Sequence, residues 1–181
     1  MSALKIELLG SSFLREKAAE VTEIDDDLRK LIGEMYEAMY EAEGIGLAGP
    51  QVGVSKRVLV VDLKSEDHPR LALINPTVLD RSKDQEKEEE GCLSIPGVSA
   101  LVERPTEVVV EATDAEGQPI RIEAEGLLAR CLQHEIDHLD GVLFIDHLSA
   151  LKRSMLVKKY KQLRAEEEGK SRERTPARSS G

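Results

Sequence analysis

The chain has 181 residues, of which 40% are hydrophobic and 33% are charged, and its net charge is −10 at pH 7. This length and composition predict one soluble domain with its own core, and no apolar run approaches the length of a membrane span. The N-terminal residues lack the apolar stretch of a secretory signal, which predicts a cytoplasmic protein of bacterial type or a processed organellar form. Without an export signal, the two cysteines are expected to be thiols.

The first regular element that the sequence predicts is a helix over residues 25–43. Acidic residues at 25–27 suit the positive end of a helix, apolar residues recur along one face, and Gly44 ends the pattern. The glycine-rich segment 44–53 follows, and it is too irregular to predict a regular element.

Strands are predicted where short runs are rich in β-branched residues. Residues 56–63 and 70–79 have the pattern of buried strands, the second of them broken at Pro76. The strongly charged stretch 82–91 is expected to be a loop, and residues 92–105 have the pattern of short strands between prolines.

A hairpin over 106–126, a helix over 127–139 and a third helix over 150–168 complete the predicted elements. The fold class is therefore α+β, with short, mostly antiparallel strands around a central helix, plus N-terminal and C-terminal helices. We expect residues 1–168 to form a single domain and the basic segment 169–181 to be disordered.

The central helix carries the sequence HEIDH, with His134, Glu135 and His138. Residues four apart lie on the same face of a helix, so both histidines can bind one metal ion. Glu135 flanks them, where a general base can take a proton from a water that the metal has acidified. Leu127 and Cys131 lie on the same side, so the pattern faces apolar protein, where unpaired polar groups would be costly. The sequence therefore predicts a metal site.

A third protein ligand must come from elsewhere in the chain. Cys131 lies seven residues before His138, about 10.5 Å along the helix axis, whereas the donor atoms around one metal lie about 3–4 Å apart. Cys92, on a separate strand, is the better candidate, and Cys131 is expected to line a pocket wall beside the metal. His68 and His147 remain as less favoured alternatives.

Three segments together are similar to the signature motifs of the peptide deformylase family: GIGLAGPQ at 44–51, EGCLS at 90–94 and QHEIDH at 133–138. Their order and separation also match, and three ordered motifs are far more specific than a lone HExxH. The resemblance implies a metal-dependent hydrolase that removes the N-formyl group from the N-terminal formylmethionine of newly made polypeptides and releases formate.

The resemblance also implies the metal centre. Its ligands would be Cys92, His134 and His138, and Glu135 would be the catalytic acid and base. The cofactor would be one divalent metal ion, in the first place Fe²⁺, with Ni²⁺, Co²⁺ or Zn²⁺ as substitutes.

Further residues are implied around this centre. The oxygen of the reacting carbonyl would be held by the side-chain amide of Gln51 and by the backbone N–H of Leu93, and Gly46 would contact the substrate backbone. Glu90 and Arg104 would either support a metal ligand or be exposed loop charges.

The pocket for the methionine side chain has three apolar candidates for its wall, namely Ile45, Leu127 and Cys131. Glu88 occupies a position that is often apolar in the family. Either Glu88 turns outward, or the pocket is more open or more polar than usual. The family's first motif also usually has alanine where this chain has Gly49.

Two other functions stay open at this point. A metalloprotease could use the same helix if its third ligand were a downstream Glu or His. A non-catalytic, ribosome-associated metal-binding protein is the other alternative. The expected partners are N-formylmethionyl nascent peptides. Residues 151–181 carry ten Lys/Arg and four Asp/Glu, a pattern typical of a solvated helix with a frayed end, and the alternative is contact of the basic C-terminal helix with ribosomal RNA. Neither membrane binding nor sequence-specific nucleic acid binding is expected.

Overall fold

The structure, a computed structural model, describes residues 3–174. Three α-helices form in this part of the chain: α1 Asp26–Glu41, α2 Gly126–Leu139 and α3 Ala150–Arg174. The described residues also form three 3-10 turns, one before α1 at Ser12–Arg15 and two between the helices at Gly49–Val52 and Phe144–His147. The three helices that the sequence predicts are therefore present, and the bounds of α1 and α2 are close to those expected.

Seven strands form two antiparallel sheets. The strands are β1 Gly46–Ala48, β2 Val58–Val61, β3 Leu71–Arg81, β4 Gln85–Cys92, β5 Ile95–Pro105, β6 Glu107–Thr113 and β7 Pro119–Glu125. The larger sheet has the order β1-β2-β3-β6-β7, and β4 and β5 form a separate two-stranded hairpin. This arrangement confirms the α+β fold class, and the predicted hairpin over 106–126 is the β6–β7 pair.

Helix α2 lies at the centre of the molecule. Its buried face packs on the large sheet, where Leu132 and Ile136 share one core cluster with Leu59 and Val110. Its polar residues that carry the HEIDH pattern are buried as well. Because both faces of the helix are covered, its charged and imidazole groups must find partners inside the protein.

Helices α1 and α3 cover the outside. Asp25 caps α1 by accepting a hydrogen bond from the backbone N–H of Leu28 at 2.9 Å, and the apolar stripe of α1 packs on β2. Leu156 and Tyr160 are the buried residues of α3, in a third cluster beside β5. Most of α3 is therefore exposed.

Three local predictions were wrong, wholly or in part. The charged stretch 82–91 is largely strand β4, which pairs with β5 along its whole length and exposes most of its side chains. Strand β3 continues through Pro76, which falls in a register shift between Ile74 and Thr77, beyond the last residue that pairs with β2. The segment 44–53 contains the short strand β1 and a 3-10 turn.

The C-terminal helix ends at Arg174, six residues beyond the expected position. Residues 175–181, the rest of the segment expected to be disordered, lie outside the described residues. Within residues 3–174, no helix combines the length and the apolar character needed to cross a bilayer.

The N-terminal segment connects two loops of the site. The backbone N–H of Glu7 donates to the carbonyl of Gln51 at 2.7 Å, and the N–H of Leu9 donates to the carbonyl of Ser94 at 2.9 Å. These two bonds hold the 3-10 turn after β1 and the β4–β5 turn against the same segment of chain.

Candidate active site

Helix α2 and the end of β4 bring one thiol and two imidazoles together. Cys92 Sγ, His134 and His138 have donor atoms that all lie within 4.8 Å of one another, and Sγ lies 3.4 Å from His138 Nε2. The i, i+4 spacing on α2 places the two rings edge to face, with centroids 5.0 Å apart. Among residues 3–174, this is the group of His, Cys and carboxylate side chains that could hold a metal ion.

Each histidine has a defined orientation. His134 Nδ1 lies 2.8 Å from Glu90 Oε1, which directs Nε2 toward Cys92. Burial alone would lower the pKa of His134, but hydrogen bonds to Cys92 and Glu90 raise it to about 10. Burial, and then the nearby His134, holds the pKa of His138 well below its usual value. Burial therefore keeps His138 in the neutral form that binds a metal ion.

Glu90 is the centre of a buried ion network. It accepts from Arg104 Nε at 2.6 Å and Nη2 at 2.9 Å, and from Arg130 Nη1 at 2.6 Å. Burial opposes its charge, but hydrogen bonds from His134 and Arg104 lower the pKa of Glu90 to about 2. The alternative that Glu90 and Arg104 are exposed loop charges was wrong, since they are 6% and 3% exposed.

The network continues away from the three donor atoms. Arg104 Nη1 donates to Asp137 Oδ2 at 2.9 Å, and the same oxygen lies 2.8 Å from His147 Nε2. His147 is thus a partner of Asp137 and lies outside the Cys92 group. His68 is exposed on a loop and lies outside that group as well.

Glu135 is buried beside the histidines. Its Oε1 lies 4.0 Å from His134 Nε2, and within residues 3–174 its Oε2 has no hydrogen-bond partner. Burial raises the pKa of Glu135 to about 7. A carboxyl group with that pKa can both accept and release a proton near neutrality.

These side chains fit a divalent metal ion. A thiolate and two imidazoles suit iron, zinc, nickel and cobalt, and three protein donors leave a position for a reacting molecule. Burying a carboxylate oxygen without a hydrogen-bond partner costs free energy unless a further group binds to that oxygen. Glu135 Oε2 is such an atom, and it belongs to the residue next to one of the three donors.

Gln51 also faces the group formed by Cys92, His134 and His138. Its Oε1 accepts from the backbone N–H of Ala48 at 2.9 Å, so its Nε2 is directed at Ser94 Oγ, 3.2 Å away, and at Cys92 Sγ, 3.5 Å away. Leu93 follows Cys92 directly in the turn between β4 and β5. Ser94, the buried partner of Gln51, was missed by sequence reasoning, which read it only as part of a motif.

The glycines of the first motif permit close approach. A Cβ on Gly46 would lie 2.8 Å from Glu135 Oε1 and 2.9 Å from Cys131 Sγ. A Cβ on Gly49 would lie 2.7 Å from the carbonyl oxygen of Lys56, so this position leaves no room for a side chain.

The walls enclose a cleft of about 540 Å³ that reaches Glu135 and His134. The other side chains that the sequence analysis assigned to catalysis or substrate binding also line it: Gln51, Leu93, Gly46, Ile45, Leu127 and Cys131. Burial, and then Glu135, raises the pKa of the Cys131 thiol well above its usual value, which favours a neutral wall residue.

One charged residue of the cleft wall was missed. Arg130 lines the cleft, whereas Glu88 is half exposed, does not line it, and lies with Oε2 3.4 Å from Arg130 Nε. The sequence signal was available, since Arg130 is the one charged residue in LLARCL on a buried helix.

Comparison with known proteins gives one consistent result. The family model "Polypeptide deformylase" matches residues 3–154. The chain is similar to the peptide deformylase of Brucella suis, with 49% identity over 94% of this chain and 98% of the relative. It is also similar to the solved structure of a peptide deformylase from Legionella pneumophila, with a TM-score of 0.86 and 43% identity over 91% of this chain and 96% of that one.

A further solved structure, a peptide deformylase from Synechococcus elongatus in complex with actinonin, has a TM-score of 0.83 and 48% identity, with 88% of each chain covered. Sequence and fold therefore agree over nearly the whole described chain. The chain belongs to the peptide deformylase family of hydrolases.

Proposed function

We propose that this enzyme is a metal-dependent hydrolase that removes the formyl group from N-terminal formylmethionine and releases formate. One observation carries the proposal: Cys92, His134 and His138 converge beside a carboxylate oxygen of Glu135 that has no partner within residues 3–174. Gln51 Nε2 faces the same point. Holding a metal requires neither Glu135 nor Gln51, so a non-catalytic metal-binding role is disfavoured.

The metal in this proposal is Fe²⁺, held by Cys92 Sγ and one nitrogen of each histidine, with Ni²⁺, Co²⁺ or Zn²⁺ as substitutes. When bound, it supplies the charge that acidifies a water molecule and polarises the formyl oxygen. Glu90 supports it through His134, because a fixed Nδ1 partner holds the ring in one orientation.

The protein residues carry the proton and the developing charge. Glu135 Oε2 accepts a proton from water and delivers it to the leaving amine. The oxygen of water bonds to the formyl carbon, the carbon–nitrogen bond breaks, and the products are formate and a free N-terminus. Gln51 Nε2 and the Leu93 N–H donate to the formyl oxygen as it becomes negative.

The substrate backbone has a ready partner in β1. This strand is at the edge of the five-stranded sheet, and an extended peptide can pair with such an edge. Gly46 allows that peptide to approach Glu135 closely. The methionine side chain then enters the part of the cleft lined by Ile45, Leu127 and Cys131.

The test compares formyl-Met-Ala-Ser with the same peptide without its formyl group, using enzyme purified anaerobically with its metal content measured. We expect formate and a new amine from the formylated peptide alone. Glu135→Gln should keep the metal and lose most turnover. Cleavage of internal peptide bonds with the formyl group intact would contradict the proposal and favour the metalloprotease. That alternative lacks its downstream histidine ligand, since His147 is engaged with Asp137.

Ribosome contact through α3 remains a separate proposal, and so does a cytoplasmic location. The support is the exposure of most of α3 together with its basic residues. Truncation after Leu151 would also remove the core residues Leu156 and Tyr160, so substitution of exposed lysines is the better test. Binding of Lys158→Glu/Lys159→Glu to ribosomes should weaken, and wild-type binding should fall steeply with salt. Ribosome binding that responds neither to the two substitutions nor to salt would contradict this contact.

A further inference from the structure

The cleft has a charged wall at Arg130. Leu127, Arg130, Cys131 and His134 follow the i, i+3, i+4, i+7 spacing, so they share the face of α2 that lines the cleft. Arg130 is 8% exposed, and on this face its neighbours Leu127 and Cys131 are the residues assigned to the apolar wall of the methionine pocket.

The guanidinium of Arg130 is held firmly on one side. Nη1 donates to Glu90 Oε2 at 2.6 Å and to the carbonyl of Val102 at 2.9 Å, and Nη2 donates to the carbonyl of Glu86 at 2.8 Å. These three bonds use three of the five N–H groups of an arginine. They fix the position of the guanidinium, because all three acceptors belong to the β4–β5 hairpin.

The remaining donors of Arg130 are held less tightly, by one long ion pair with a half-exposed carboxylate. Nε lies 3.4 Å from Glu88 Oε2, beyond the usual length of a charge-assisted hydrogen bond, and Glu88 is half exposed. Within residues 3–174, neither the Nε–H nor the second Nη2 proton makes a hydrogen bond of normal geometry. A side chain that enters the cleft therefore meets a fixed cation with donor capacity left.

We propose that Arg130 determines specificity and makes formyl peptides that begin with methionine sulfoxide substrates of this enzyme, in addition to those that begin with methionine. Oxidation turns the methionine thioether into a polar, chiral sulfoxide. An apolar pocket would reject that oxygen, because burying it without a partner is costly. A charge-assisted hydrogen bond from Arg130 offsets this cost. The inference rests on the proposed deformylase function.

The experiment measures kcat/KM for formyl-Met-Ala-Ser and for each epimer of formyl-Met(sulfoxide)-Ala-Ser with the metal-loaded, full-length enzyme. The readout is the ratio of kcat/KM for the sulfoxide peptide to kcat/KM for the methionine peptide. We expect kcat/KM of the wild type for one epimer to lie within about 10-fold of its value for the methionine peptide, and kcat/KM for the other epimer to be lower. The reason is that a fixed donor can form a hydrogen bond with the sulfoxide oxygen in only one of the two configurations. If no formylated peptide reacts, the proposed function fails; if only the methionine peptide reacts, this inference alone fails.

Two variants should change the ratio in opposite directions. Glu88→Ile/Arg130→Ile replaces the pair by apolar side chains without leaving Glu88 unpaired, and it should lower the ratio by roughly 10- to 100-fold and abolish epimer selectivity. Glu88→Ala alone removes the competing acceptor from a half-exposed position and should raise the ratio. This second variant keeps the buried contacts of Arg130, so it tests the inference even if the double variant does not fold.

The matched control is Glu111→Ile/Arg121→Ile, which removes an exposed ion pair on β6 and β7 with atoms 3.7 Å apart. Its ratio should equal that of the wild type. An unchanged ratio in both Arg130-directed variants, or an equal loss in this control, would overturn the inference.

Discussion

Gly46 lies where strand β1 packs directly against Glu135 and Cys131. In Gly46→Ala, the new methyl group would meet Glu135 Oε1 at 2.8 Å and Cys131 Sγ at 2.9 Å, both closer than real contacts allow. We expect Glu135 to be displaced and kcat to fall by about 100-fold, since a general base contributes about that much. Metal content should not change, because none of the three donor atoms is touched. Steady-state kinetics and metal analysis check both statements.

Gly33→Ala is the matched control for that prediction. Gly33 is exposed in the middle of α1, and nothing lies within 4 Å of the position of its Cβ. Alanine in a helix interior should stabilise the protein by about 0.5–1 kcal/mol and leave turnover unchanged. Equal activity of the two alanine variants would mean that β1 can move away from α2.

Gln51 gives a second prediction at this scale. Its amide is oriented by the Ala48 N–H, and the Gln51→Ala variant loses the donor proposed for the reacting carbonyl together with the contacts to Ala48 and Ser94. We expect kcat to fall about 10²–10³-fold with the metal retained. Near-normal turnover would remove Gln51 from the mechanism. Substitution of the exposed Gln118, in the turn between β6 and β7, provides the comparison.

At the scale of elements, the β4–β5 hairpin is joined to α2 by the Glu90 network. Arg104→Met should destabilise the protein by about 3–5 kcal/mol, because it leaves a buried carboxylate with one cation fewer. Metal affinity should fall about 10–100-fold, since Glu90 orients His134. Chemical denaturation and metal titration measure the two effects.

The control for this element is Arg121→Met, because Arg121 is 56% exposed on its side chain and lies outside the network. It should leave both the denaturation midpoint and the metal affinity unchanged. If Arg104→Met binds metal as tightly as the wild type, Glu90 holds His134 without help from Arg104.

The same elements differ in how far the sequence predicts them. The spacing within HEIDH was sufficient to predict a helix with both histidines on one face, because helix periodicity is local. Strand β4 could not be predicted, since KDQEKEEEG has no apolar alternation and becomes a strand only through pairing with β5. Its one buried side chain, Glu90, is kept there by cations from distant positions, and no local pattern reports such partners.

At the scale of the whole molecule, metal binding should stabilise the fold, because the ligands come from separate elements. With free metal at about 100 times its dissociation constant, the stabilisation is about 2.7 kcal/mol. For a chain of this size, this predicts that a chelator lowers Tm by about 5–10 °C and that added metal restores it. Thermal unfolding with and without chelator makes the measurement.

The two cysteines provide the internal comparison. Cys92→Ala should lose the response to the chelator, whereas Cys131→Ala should keep it, because only the Cys92 thiol belongs to the donor group. A response that follows Cys131 instead would contradict the assignment of ligands. The spacing of residues in the sequence favoured Cys92 over Cys131 as a ligand. It could not predict how close Cys92 comes to the histidines, because that distance depends on how the hairpin packs against α2.

The segments of the site are far apart along the chain, with Gln51, Cys92 and His138 on three different elements. During synthesis, no early fragment of this protein can hold the ion, because the last donor is made after three quarters of the chain. Long-range closure of this kind slows folding. The three proposed ligands can therefore come together only after α2 has been made and has packed against the β4–β5 hairpin, so metal loading is expected late in the maturation of the enzyme.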